Sequence, residues 1–317
     1  MLHDVGEALV LQPSLTIPYF QLTLAFLPFH SSTSYIAAAM VLCFTLSGCI
    51  ESWEGDPFVL HVESMSIETD ETEGTSSSRI EEVWVYSSTD VLGAFPLPAD
   101  IPLSPDALGP NPELILSAGI RANAISSTRQ PYPFYEAFTY IPDLEFGGKD
   151  TLNLELGYTE LAQIINAEDF ETSNRFEESS TSTASIARTE DLNWVLEGDG
   201  SGLIQLSATE AVLTSNTNEQ QFNLTTSGPV WLELDYACDQ PFWIGLRVAN
   251  DETAQRYPIL LLKSTDMSPN KIYLDLGPMV RSTPDATQYE ILLDAIYDGS
   301  QDTTTVVVDN FKLVRYP

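Results

Sequence analysis

Hydrophobic and polar residues alternate along much of this chain with a period of two, and almost no stretch carries the spacing of an amphipathic helix. Between residues 58 and 158 the pattern predicts short strands at 58–67, 80–86, 91–97, 113–120, 132–140 and 151–158. Residues 68–78, rich in Glu, Asp, Thr and Ser, read as a loop, and 87–90 as a turn. Pro96, Pro98, Pro102, Pro105, Pro110 and Pro112 break the alternation, so that passage is expected to be an irregular crossing or an edge segment. Beyond residue 164 a strand-like start leads into a long Ser/Thr/Glu-rich loop. Further strands are predicted at 202–206, 221–224, 230–236, 242–248, 259–262, 271–276, 289–297 and 305–314. The fold class expected is all-β: a small Ig-like β-sandwich over residues 57–160, then a larger antiparallel jelly-roll sandwich over 161–317.

The first 50 residues follow a different pattern. Residues 8–50 contain no Asp, Glu, Lys or Arg, and their densest apolar part is 35–46. That length suits the apolar core of a signal peptide and falls short of the ~20 residues that span a bilayer. Leu46-Ser47-Gly48-Cys49 closes the run and resembles a bacterial lipobox. The resemblance implies cleavage after Gly48 and a lipid on Cys49. Residues 1–48 would then be a signal peptide and 49–56 an acidic, lipidated tether. It also implies an outer-membrane location, with the membrane reached through the lipid anchor. Two features depart from the pattern: no Lys or Arg precedes Arg79, and Pro13, Pro18 and Pro28 interrupt the leader. A displaced translation start accounts for the first. An uncleaved anchor helix over about 20–48 is the competing reading, opposed by Pro28 and the polar run 30–34.

Charge narrows the partners. The chain has 13 Lys+Arg against 46 Asp+Glu, a net −33, and only Asp4 and Glu7 precede Cys49. Nucleic acid is excluded as a partner by this imbalance. Of three cysteines, Cys43 lies in the leader and Cys49 would be lipidated. Cys238 is left without a disulfide partner, in an alternating stretch where it is expected to pack rather than react.

Catalytic patterns are missing from the sequence. His61 is the only histidine after the leader, and there is no nucleophile elbow, phosphate loop or dinucleotide fingerprint. With so many acids, a carboxylate pair suited to glycoside hydrolysis is expected by chance. The chain therefore reads as a non-enzyme. Trp194, Trp231 and Trp243, with Tyr236 and Tyr257, could stack on sugar rings, although strand aromatics mostly fill cores. In Val230-Trp-Leu-Glu-Leu-Asp-Tyr236, Trp231 shares parity with Glu233 and Asp235, which places it on the solvent side if the alternation holds. Trp84 and Tyr132-Pro-Phe-Tyr135 are expected in the core of the small sandwich.

Residues 164–317 resemble the galactose-binding-like jelly rolls, which include many carbohydrate-binding modules. The resemblance is carried by the order Phe-Glu (170–171), Trp194, "Leu-Glu-Leu-Asp-Tyr" (232–236) and "Val-Asp-Asn-Phe-Lys-Leu" (308–313). Taken whole, with "Val-Trp-Val-Tyr" (83–86), "Leu-Gly-Ala-Phe-Pro-Leu-Pro-Ala" (92–99) and "Tyr-Pro-Phe-Tyr" (132–135), the chain is similar to uncharacterised surface lipoproteins of marine Bacteroidota. The jelly-roll resemblance implies a structural Ca²⁺ shared by Glu171 and Asp309, with Glu168 and Asp169 nearby; the alternative is that these acids simply face water. The function expected is a membrane-anchored binding or adhesion module, with a glycan as ligand. The alternatives are an accessory subunit that meets protein partners in an outer-membrane assembly, and a carboxylate glycosidase.

Overall fold

A computed structural model describes residues 55–217, 222, 224, 227–250 and 252–317. The leader, the lipobox residues Leu46, Ser47, Gly48 and Cys49, and the tether as far as Glu54 lie outside them. Gly55–Pro317 forms one compact unit. No helix among the described residues is long and apolar enough to cross a membrane.

The small sandwich is built from β1 (Phe58–Ile67), β2 (Glu82–Tyr86), β3 (Val91–Pro96), β4 (Ala99–Leu103), β5 (Leu114–Arg121), β6 (Arg129–Pro131), β7 (Phe138–Tyr140) and β8 (Lys149–Leu156). One sheet runs β4-β1-β8 and the other β3-β2-β5-β6, with β7 also paired to β5. In β1, Phe58, Leu60 and Val62 face inward; a register shift between Val62 and Ser64 resets the parity, so that Met65 and Ile67 also face inward. The proline-rich passage supplies β4, an edge strand bonded to β1 alone, where Pro102 removes no bond from a central ladder. β1 and β8 pair in parallel across about ninety residues, which period-two patterning cannot foretell.

The larger sandwich follows in β9 (Gln163–Glu168), β10 (Phe176–Glu178), β11 (Ile186–Thr189), β12 (Ser201–Ser207), β13 (Val212–Thr217), β14 (Val230–Cys238), β15 (Phe242–Ala249), β16 (Ala254–Leu262), β17 (Asn270–Asp275), β18 (Gln288–Ile296) and β19 (Thr303–Arg315). A six-stranded sheet has the order β11-β12-β19-β14-β17, with β9 also on β19; a five-stranded sheet has the order β10-β13-β18-β15-β16. All these pairs are antiparallel. Leu232, Leu234 and Tyr236 from one sheet meet Ile244, Leu246, Ile291 and Leu293 from the other in the main core.

The middle of the six-stranded sheet is buried on both faces. Its far side sends Trp231, Tyr273 and Val314 into the core of the small sandwich, against Tyr132, Phe134, Tyr135 and Tyr158. Every residue of β14 is therefore buried. Three apolar layers result: small sandwich, six-stranded sheet, five-stranded sheet.

Candidate functional site

The sequence-predicted platform does not assemble. Trp231 is only 3% exposed, which corrects its expected place in solvent. The parity argument grouped it correctly with Glu233 and Asp235, but the small sandwich covers that face, and the Trp231 ring meets Tyr132 edge-on at 5.5 Å. Trp243 lies on the opposite side of the jelly roll, on the outer face of the five-stranded sheet, and is 37% exposed. Trp194 sits half-buried in a turn whose backbone closes from its N–H to the Asp191 carbonyl. Tyr236 is core and Tyr257 packs against the core from β16. Tyr132, Phe134 and Tyr135 are buried as expected, although their segment joins β6 to β7 rather than forming a strand. Trp84 is half-buried.

Asp309 and Glu171 sit near enough for the Glu171 charge to raise the Asp309 pKa. Asp309 Oδ2 accepts the Ser201 hydroxyl at 2.6 Å and Oδ1 the Asn310 N–H at 2.8 Å. The Glu171 carboxylate accepts the Asp199 N–H. These bonds engage both oxygens of each carboxylate. Among the described residues no group of three or more His, Cys, Asp or Glu is placed to hold a metal.

Burial instead pushes the Asp309 carboxyl up to about 7, with Asp235 and Glu171 adding to the rise against the Ser201 and Asn310 hydrogen bonds. The folded state then holds this proton between about pH 4 and 7 while the unfolded chain releases it, so this group's contribution to stability falls as pH rises through that window. Asp309→Asn abolishes the titration. Urea unfolding in EDTA at pH 4.5 and 7.5 should show the variant gaining on the wild type as pH rises. Parallel curves would mean that Asp309 titrates as an ordinary carboxylate.

Cys238 is fully buried, burial pushes its thiol up to about 11, and it donates to the Lys263 carbonyl. It is a packed, unreactive thiol. His61 is held on the sheet surface by Asp100 and Glu63, and these two carboxylates raise its pKa.

The arrangement best suited to a ligand was not among the candidates from sequence. An open trough of about 620 Å³ crosses the outer face of the five-stranded sheet from Glu177 in β10 to Ala254 in β16. Along this face runs a ladder of side chains. Arg247 Nη1 donates to Glu290 Oε1 at 2.8 Å, and Asn216 Nδ2 to Glu290 Oε2 at 2.7 Å. Arg256 Nη1 donates to Asn216 Oδ1 at 2.9 Å, and its Nη2 to Asp294 Oδ1 at 2.6 Å. Four strands contribute. Strand parity puts all five residues outward: Trp243, Gly245 and Arg247 share a face of β15, as Glu290 and Asp294 do on β18. Gly245 is needed where β16 bulges, since a Cβ there would lie 2.1 Å from the Tyr257 carbonyl oxygen. Partial burial raises the Asp294 pKa against the pull of Arg256. The ladder holds planar donors and acceptors in fixed positions, with Trp243 on the same face.

The chain matches no protein-family model. No curated protein matches it either. Among solved structures it is similar over 48% of its length to the enzymatically active domain of bacteriophage CBA120 tailspike protein 4, at 12% identity and a TM-score of 0.37; the match spans 21% of that chain. A family 29 carbohydrate-binding module mutant complexed with cellulohexaose matches 49% of this chain and 93% of its own, at 12% identity and a TM-score of 0.33. Another mutant of that module, complexed with mannohexaose, matches 48% and 92%, at 15% identity and a TM-score of 0.32. At these scores neither ligand nor activity carries over to this chain.

Proposed function

We propose that this protein is a non-catalytic saccharide-binding module, held at the outer membrane by a lipid on Cys49. The trough and its ladder carry the binding reading. Saccharide hydroxyls are recognised by planar groups that donate and accept in pairs; Arg247, Glu290 and Asn216 line the trough with such groups, and Arg256 and Asp294 extend the hydrogen-bonded row beyond it. A site that is ordered before the ligand arrives loses less entropy on binding. The Glu290 and Asp294 carboxylates are each bonded to an arginine, which suits holding a ligand more than transferring a proton. The lipobox-like Leu46-Ser47-Gly48-Cys49 supports the anchor.

A neutral-glycan array, followed by calorimetry on any hit, tests the reading. Arg247→Ala should weaken binding by about tenfold or more, the scale of a lost charge-assisted hydrogen bond. Retention of no neutral saccharide, or a hit whose affinity Arg247→Ala leaves unchanged, would dismiss it.

A further inference from the structure

A second concavity shares no lining residue with the trough. It lies where the loop before β2 and the end of β5 meet β17 and the segment after β16. Two cavities, of about 590 and 480 Å³, join there at Arg79, Thr265, Asn270 and Lys271. The chain has only 13 Lys+Arg. Four of them, Arg79, Arg121, Lys263 and Lys271, line this one groove, against the acids Glu81, Glu197 and Asp235. With Glu233 beside Lys271 the four cations and four acids balance, so in a protein of net charge −33 this groove is locally neutral.

The cations are arranged for use. Glu81 lies between two guanidinium groups: Arg79 Nη2 is 2.9 Å from Oε1, and Arg121 Nε contacts Oε2. Glu81 holds Arg79 by a hydrogen bond and Arg121 by charge alone, and it neutralises one charge of the two, leaving a net positive pair. Arg79 and Arg121 remain 44% and 41% exposed. Arg79 is further aligned by Asn270. Beneath them Lys271 is 5% exposed, and its Nζ makes no hydrogen bond. Glu233 at 3.4 Å and Asp235 at 3.9 Å balance its charge but leave its N–H groups unaimed. The walls carry hydroxyl and amide groups from Ser77, Ser126, Ser264, Thr265, Ser268 and Asn123, beside apolar Ile125 and Leu261. Guanidinium pairs take carboxylate or sulfate oxygens bidentately, and hydroxyl and amide walls take sugar hydroxyls.

We infer that this junction groove binds an acidic saccharide, its carboxylate or sulfate group held by Arg79 and Arg121. The surrounding acidity makes the site selective: an anion gains only within a Debye length of the arginines, about 8 Å at physiological salt. Long polyanions that must lie across the acidic surface are disfavoured, while a short oligosaccharide fits within the groove.

Calorimetry on the purified full chain tests this with four probes: oligogalacturonate, its methyl ester, galacturonic acid monomer, and a sulfated galactan oligosaccharide. At least one acidic probe should bind and the ester should not, and binding should weaken as NaCl rises from 50 to 500 mM. Arg121→Gln, at an exposed position, should lower affinity about tenfold or more. Ser126→Trp, which narrows the groove without removing charge, should do so too. Arg247→Ala in the trough should leave this binding unchanged, which separates failure here from failure of the trough. Preference for the carboxylate or the sulfate probe names the acidic group. Equal binding of the ester, binding of galacturonic acid monomer as tight as that of the oligosaccharide, or indifference to both groove variants would each overturn the inference.

Discussion

Replacing Trp231 with alanine should cost about 3–5 kcal/mol of folding stability, as a large aromatic lost from a closed core does. The residue stands on an external face of the jelly roll by strand parity, so a jelly roll considered alone would forecast an almost neutral change. The third layer decides otherwise: Trp231 packs with Tyr273 and Val314 among Tyr132, Tyr135 and Tyr158. Guanidinium unfolding should show one transition with a lowered midpoint. A slope that also falls would report that the small sandwich had come loose before the jelly roll. A midpoint unchanged from the wild type would mean that the layer does not form.

Glu233→Leu should cost a similar ~3–5 kcal/mol, for a different reason. Glu233 has no exposed surface. It accepts the Tyr132 hydroxyl at 2.7 Å and the Tyr158 hydroxyl at 3.0 Å, and stands 3.4 Å from Lys271 Nζ. Burial, and then the Glu233 charge, raise both phenols far above their ordinary range, so both remain protonated donors. Leucine would strand two hydroxyls and a buried ammonium. Most of the loss comes from those orphaned partners rather than from the attraction itself. The double variant Glu233→Leu/Lys271→Met should therefore recover much of the stability. A double variant as unstable as the sum of the two single ones would show that the pair is not coupled.

Much of the architecture was legible in the alternation. Strands β1, β12, β14, β15, β17, β18 and β19 fall within a few residues of the positions read from sequence. The misses have physical causes. β10 and β11 are three- and four-residue strands inside a Ser/Thr/Glu-rich passage, held by pairing to β13 and β12 rather than by their own propensity. β13, Val212–Thr217, has four consecutive polar residues from Thr214 and is not among the strands predicted from sequence, yet Leu213 is core and Ser215 bonds to the Leu293 carbonyl. The run at 132–135 is rich in aromatic residues because its rings plug a layer junction, and only 138–140 of the expected strand is extended, as β7. The trough ladder was recoverable in part: Arg247, Glu290 and Asp294 sit at outward parity in strands that were recognised. Which strands lie side by side was not recoverable, and the ladder exists only because β13, β18, β15 and β16 are neighbours. Trp231 shows the same limit: period two assigns a face and says nothing of what lies against it.

β19 runs through the middle of the six-stranded sheet, flanked by β14 on one side and by β12 and then β9 on the other. It lends Phe311 and Leu313 to one core and Val314 to the other. The keystone of both layers is thus synthesised after every strand it joins. Until residues 303–315 emerge, β12 and β14 have no neighbour between them, and their unpaired edges need shielding from other chains. Assembly of this sheet therefore waits on β19, whose single insertion seals a sticky intermediate.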